Sequence, residues 1–122
     1  MNLYSDYQKK IFEKLKYLEK KKLIKLPSTM NNLTVELPPK NQIADISCNA
    51  AMILAKANSN PPHILAEILK KYFLENFKEF RNIEIAGPGF LNISFHISFW
   101  YLYINKTINL SHKFGSVKQK TA

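Results

Sequence analysis

The 122-residue sequence predicts an α+β domain: a small antiparallel sheet with helices packed on one face, in a single domain. Three observations lead there. Apolar residues recur at helical spacing near the N-terminus and again after Pro61-Pro62. They alternate singly through Leu33–Leu37 and Phe90–Ile97. A Gly87-Pro88-Gly89 turn joins two strand-like runs. Elements in this arrangement, without a regular strand–helix repeat, point to α+β rather than to a parallel sheet.

Taken in order, Ser5 is placed to cap a first helix, with Gln8 completing a capping box. Tyr4, Tyr7, Ile11, Leu15 and Leu18 form its apolar stripe, and lysines cover much of the rest as far as Lys22. Leu33–Leu37 reads as a strand ended by Pro38-Pro39, and residues 40–44 as a loop. Asp45 or Ser47 is placed to cap a second helix from about Cys48 to Ala57, whose small face is Ala50, Ala51 and Ala55. Pro61 or Pro62 starts a third helix, with Ile64, Leu65, Ile68, Leu69, Tyr72 and Phe73 as its buried stripe. Ile83–Ala86 and Phe90–Ile97 are strands flanking the glycine turn, and Phe99–Leu110 is a closing helix. The domain is expected to occupy residues 1–110, with 111–122 a frayed, polar tail.

Hydrophobic residues make up 46% of the chain, with Phe 8 and Tyr 6, enough for one core and unlike a disordered chain. No apolar run approaches the roughly 20 residues of a membrane-spanning helix, and the lysine-rich start, without an apolar block, leads to the expectation of no secretory signal. One cysteine, Cys48, among small apolar neighbours, suits a buried thiol in a reducing cytoplasm. The net charge of +9 favours a polyanionic partner, nucleic acid or anionic lipid. Only Arg81 among the 18 basic residues is arginine, however, and a lysine-rich solubilising surface explains the same count.

The strand after the turn is the most informative segment. Alternation places Leu91, Ile93, Phe95 and Ile97 on a core face and Phe90, Asn92, Ser94 and His96 on the other. An aromatic ring beside a carboxamide on an open sheet face can stack on a base and pair with its edge. The bland alternative has Phe90 folded back on the turn and Asn92 facing water; the pattern alone leaves both open. Catalytic candidates are poor. His63, His96 and His112 have no metal-ligand spacing, and the glycine turn leads into a strand rather than a phosphate-binding helix.

Two stretches carry a resemblance. Val35-Glu36-Leu37-Pro38-Pro39 leads through Asp45 to Asn49-Ala50-Ala51-Met52-Ile53-Leu54-Ala55-Lys56, and Ile83-Glu84-Ile85-Ala86-Gly87-Pro88-Gly89-Phe90-Leu91-Asn92 follows. Together they resemble the N-terminal additional domain of arginine–tRNA ligases. Pro61-Pro62-His63-Ile64-Leu65-Ala66-Glu67 resembles that domain's third helix, with one extra residue. The resemblance implies binding to the elbow of tRNA(Arg), chiefly its D-loop, with Phe90 and Asn92 as the base-contacting pair. Lysines of the first helix, with Lys40 and Lys56, are expected near phosphates. The family continues into a class I catalytic domain with a His-x-Gly-His signature and usually a Lys-Met-Ser-Lys-like loop; neither occurs in this sequence. This chain alone is therefore expected not to form arginyl-adenylate and to carry no cofactor of its own; it is also expected to be a monomer. ATP and arginine, and the partner catalytic domain, belong to the complete enzyme of the family. A free-standing RNA-binding or protein-interaction module is the alternative, and a basic amphipathic helix on an anionic membrane surface a third reading.

Overall fold

The computed structural model describes residues 2–40 and 42–113, with side chains through residue 105. Its elements are α1 (Leu3–Lys20), β1 (Val35–Glu36), β2 (Ile46–Cys48), α2 (Ala50–Leu54), α3 (Pro62–Asn76), β3 (Phe80–Ala86), β4 (Phe90–Phe95) and α4 (Ile97–Lys113). The four strands form one sheet in the order β1-β2-β4-β3, and every neighbouring pair is antiparallel. Helices lie on one side of it, and the α+β class read from the sequence holds.

Helix α1 begins before the predicted cap. Asn2 takes that role, its Oδ1 accepting from the Tyr4 and Ser5 amides at 3.0 and 3.2 Å. Asparagine caps as well as serine does, so the earlier residue wins and Ser5 falls inside the helix. Gln8 does not close a capping box; its Nε2 donates to the Leu33 carbonyl at 2.8 Å, tying α1 to the segment before β1. Tyr7, Ile11, Leu15 and Leu18 are buried, as their spacing predicts.

The main correction falls between residues 45 and 49. A helix was expected from Cys48, capped by Asp45 or Ser47. Instead Ile46–Cys48 is a strand, paired with β1 on one side and β4 on the other. Three residues are too few for alternation to stand out beside a helix-forming alanine pair. Asp45 accepts the Phe95 amide proton at 2.8 Å and so pins the start of β2 to the end of β4. Asn49 precedes α2, but its side chain bonds the Thr34 amide at 2.8 Å and the Asn32 carbonyl at 2.9 Å. This clamps the approach to β1. Helix α2 is then a short piece whose Ala50, Ala51 and Leu54 are buried.

Helix α3 starts with Pro62 at its first position, where the missing N–H costs nothing, and buries Leu65, Ala66, Leu69 and Phe73. Ile64, expected in that stripe, is exposed. Strand β3 begins at Phe80, earlier than expected, because pairing with β4 carries it through the polar Arg81 and Asn82 across an irregularity in register. Strand β4 stops at Phe95. Ile97, assigned to its core face, instead opens α4 and is exposed. That helix runs past Leu110 into the expected tail; residues 114–122 lie outside the described residues.

The helix-side face of the sheet carries Val35, Ile46, Cys48, Ile83, Leu91, Ile93 and Phe95, all buried. An aromatic cluster continues it. The Tyr7 ring lies 5.1 Å from Phe95, and Phe77 and Phe80 stack at 4.5 Å between centroids. The Tyr7 hydroxyl donates to Glu79 Oε2 at 2.6 Å. Burial, and then that carboxylate, push the Tyr7 phenol well above its ordinary range.

Candidate nucleic-acid interface

The other face of the sheet is built by register. Glu36 pairs with Ser47, Ser47 with Asn92, and Asn92 with Glu84, so these four side chains cross the sheet in one row. Phe90 pairs with Ala86 at the end nearest the turn. The turn is glycine-dependent at both ends. Gly87 has φ +55° and Gly89 φ +152°, and a Cβ on Gly89 would stand 3.1 Å from Pro62 Cβ. The turn therefore rests against the start of α3, which fixes where β4 and Phe90 begin.

A cavity of about 390 Å³ opens on this face, bordered by Glu36, Pro39, Gln42, Ser47, Pro88, Phe90 and Asn92. Its size is within the ~300–1,000 Å³ usual for small-molecule sites. Phe90 is 39% exposed and gives the cavity an aromatic wall. Asn92, expected on an open face, is only 2% exposed. The facing assignment is nevertheless correct, since Leu91, Ile93 and Phe95 point into the helix-side core. What differs is a cover: the connection after β1 returns across the sheet and sets Gln42 against Asn92. Asn92 Nδ2 donates to Gln42 Oε1 at 3.3 Å, while Asn92 Oδ1 is enclosed and has no hydrogen-bond partner. A buried acceptor without a donor is costly, roughly 1–3 kcal/mol, and uncommon outside functional sites. Ser94, also expected to face water, is buried as well.

The structure brings two of the four predicted site residues, Phe90 and Asn92, to one cavity. Lys40 is exposed on the connection between two lining residues, Pro39 and Gln42. Lys56 is exposed beyond α2, on the helix layer, and does not border the cavity. Glu36, Ser47 and Gln42 were not singled out from sequence. The alternation in β1 already put Glu36 on a polar face. Ser47 was hidden by reading β2 as helix, and Gln42 sits in a loop where no periodicity operates.

The charge of this face limits what it can hold. Glu36 and Glu84 lie on the same cross-strand row as Asn92 and repel phosphate. A neutral base ring meets no such penalty. Helix α1 carries Lys9, Lys10, Lys14, Lys16 and Lys20, some with their ammonium groups over rings: Lys10 is 4.9 Å from Tyr7 and Lys14 is 4.8 Å from Tyr17. Among the described residues no cluster of three or more potential metal ligands occurs, and no helix is long and apolar enough to cross a membrane. His63 and His96 are exposed and apart from the cavity; the side chain of His112 lies outside the described residues. Cys48 is fully buried, and burial pushes its thiol up to about 12.

Residues 6–95 match the family described as the arginyl tRNA synthetase N terminal domain. The chain is 38% identical to the arginine–tRNA ligase of Pelagibacter ubique over 98% of its own length, covering 21% of that relative. It is 36% identical to the arginine–tRNA ligase of Wolbachia pipientis over 96% of its length, covering 20% of it. Against the arginine–tRNA ligase of Ehrlichia chaffeensis the figures are 38% identity, 83% of this chain and 18% of the relative. The chain thus spans about a fifth of the length of these relatives.

Proposed function

The chain belongs to the arginyl-tRNA synthetase N-terminal domain family, and we propose that its open sheet face receives an unpaired D-loop base of tRNA(Arg). One observation carries this reading: an aromatic ring, Phe90, and a carboxamide, Asn92, whose enclosed oxygen has no partner, border one base-sized cavity. Phe90 stacks on the base, and Asn92 meets its edge. The carboxylates Glu36 and Glu84 keep the phosphodiester backbone off this face, so phosphate contacts fall to Lys40 and the lysines of α1. Catalysis of arginine attachment, with ATP and arginine as substrates, belongs in this reading to the remainder of an arginine–tRNA ligase.

The test places Phe90→Ala and Asn92→Ala in a complete arginine–tRNA ligase and measures affinity for tRNA(Arg) with and without a D-loop base substitution. Phe90→Ala is expected to weaken binding by roughly 1–3 kcal/mol, the usual worth of one stacked base. Asn92→Ala is expected to reduce the preference between the two tRNAs. If Phe90→Ala leaves affinity intact and Asn92→Ala weakens both tRNAs equally, this face does not read a base.

A further inference from the structure

We infer that Gln42 and Asn92 read the base edge together, as one hydrogen-bonded carboxamide pair; this rests on the reading of the face as a base site. A carboxamide has two donor hydrogens and an acceptor oxygen. Asn92 Nδ2 is directed at Gln42 Oε1, which couples the two side chains. Two groups are then left over. Asn92 Oδ1 is a buried acceptor with no partner, and Gln42 Nε2 is a donor with no partner among the described residues. The pair therefore offers one acceptor and one donor, the complement of a base edge carrying an N–H beside a lone pair.

The local backbone suits a side chain that must adjust as a ligand arrives. Gln42 is held by its amide to the Pro39 carbonyl at 2.9 Å, inside a short turn. The next residue, Ile43, is 96% exposed and so is not anchored in the core. Asn92, by contrast, is fixed in the middle of β4 between β2 and β3. One member of the pair is rigid and the other adjustable. Because Asn92 Oδ1 is enclosed, a base reaches it only as Gln42 shifts, and Gln42 then bonds the base beside Asn92. Gln42 is in this view a specificity-determining residue that sits in a loop, 50 residues from Asn92 in sequence.

The test uses the 122-residue chain, isotope-labelled, and tRNA(Arg) transcripts carrying each of the four bases at one D-loop position. In the unaltered chain the side-chain NH2 resonances of Gln42 and Asn92 should shift together, and most with one transcript. Gln42→Ala and Asn92→Ala should each weaken that transcript roughly two- to tenfold, the usual range for one hydrogen bond. The double variant should be no weaker than the worse single one, because the pair acts as a unit. Gln42→Glu, which retains the acceptor and loses the donor, should lower binding of bases that present an acceptor there. If the Gln42 resonance stays still while that of Asn92 moves, or if the two losses multiply independently, the pair is overturned and the base site stands. If neither resonance responds to any transcript, the base site falls and the pair falls with it.

Discussion

On one side of β4, Leu91, Ile93 and Phe95 meet helices and rings, and the buried hydroxyl near them, on Tyr7, is paired with Glu79 at 2.6 Å. On the other side, Asn92 sits beneath a loop with its carbonyl oxygen unpaired. The same six-residue strand presents both. The helix side has the character of a surface that serves stability: its apolar side chains are buried and the Tyr7 hydroxyl among them is paired. The far side leaves stabilisation unrealised at one atom, in a cavity with an aromatic wall. Such an atom costs the free chain something and is relieved by a ligand with a donor to offer. The contrast separates residues that hold the sheet from those that use it.

The contrast is sharpest in stability, and the largest effect is expected on the helix side. Leu91→Ala should lower unfolding free energy by about 2–5 kcal/mol in urea titration, as for other buried leucines. A loss near zero would mean that the helix-side face is not the core.

Next comes Tyr7→Phe, which removes a hydrogen bond to a carboxylate and leaves Glu79 without its donor. About 1–3 kcal/mol is expected at neutral pH. The pH dependence gives an independent check. The folded chain holds the Tyr7 phenol above its ordinary value near 10.0, so it favours the protonated form. That contribution is complete below pH 10 and is lost as the pH rises above it. Cys48, raised from 9.0 to about 12, acts in the same direction. Stability of the unaltered chain should therefore fall on the alkaline side, and Tyr7→Phe should flatten part of that fall. Equal slopes in both chains would break the assignment.

The smallest stability change is expected on the far side. Asn92→Ala removes an unsatisfied buried acceptor and one long hydrogen bond, so the net cost should stay below about 1 kcal/mol. A penalty as large as that of Leu91→Ala would make Asn92 a structural residue and erase the distinction between the faces.

Much of this was legible in the amino-acid order. The stripes of α1 and α3, the glycine turn and the facing of Leu91, Ile93 and Phe95 all follow from periodicity, because each element presents enough residues to repeat its pattern. Strand β2 was illegible for the opposite reason. Ile46-Ser47-Cys48 is defined by what lies on either side of it, not by its own spacing, and the alanines after it favour a helix. That single error hid Ser47. Phe90 and Asn92 were found as a pair. The cover over Asn92 was not, since Gln42 reaches it across 50 residues by a loop path that leaves no local signal. Gln8 shows the same effect, its carboxamide spent on the distant Leu33 carbonyl rather than on its own helix start.

The position of Cys48 turns the chain into its own reporter. It is the sole cysteine, wholly enclosed, on the strand between the two-residue edge β1 and the central β4. A thiol reagent reaches it only when the sheet opens, so the labelling rate counts opening events in the native ensemble. Release of β1 alone would label without dependence on denaturant, whereas global unfolding would accelerate steeply with it. Anything that bridges Gln42 and Asn92 also ties the loop after β1 down onto β4 and should slow the labelling. Occupancy of the far face thus becomes measurable as a change in reaction kinetics on the opposite one.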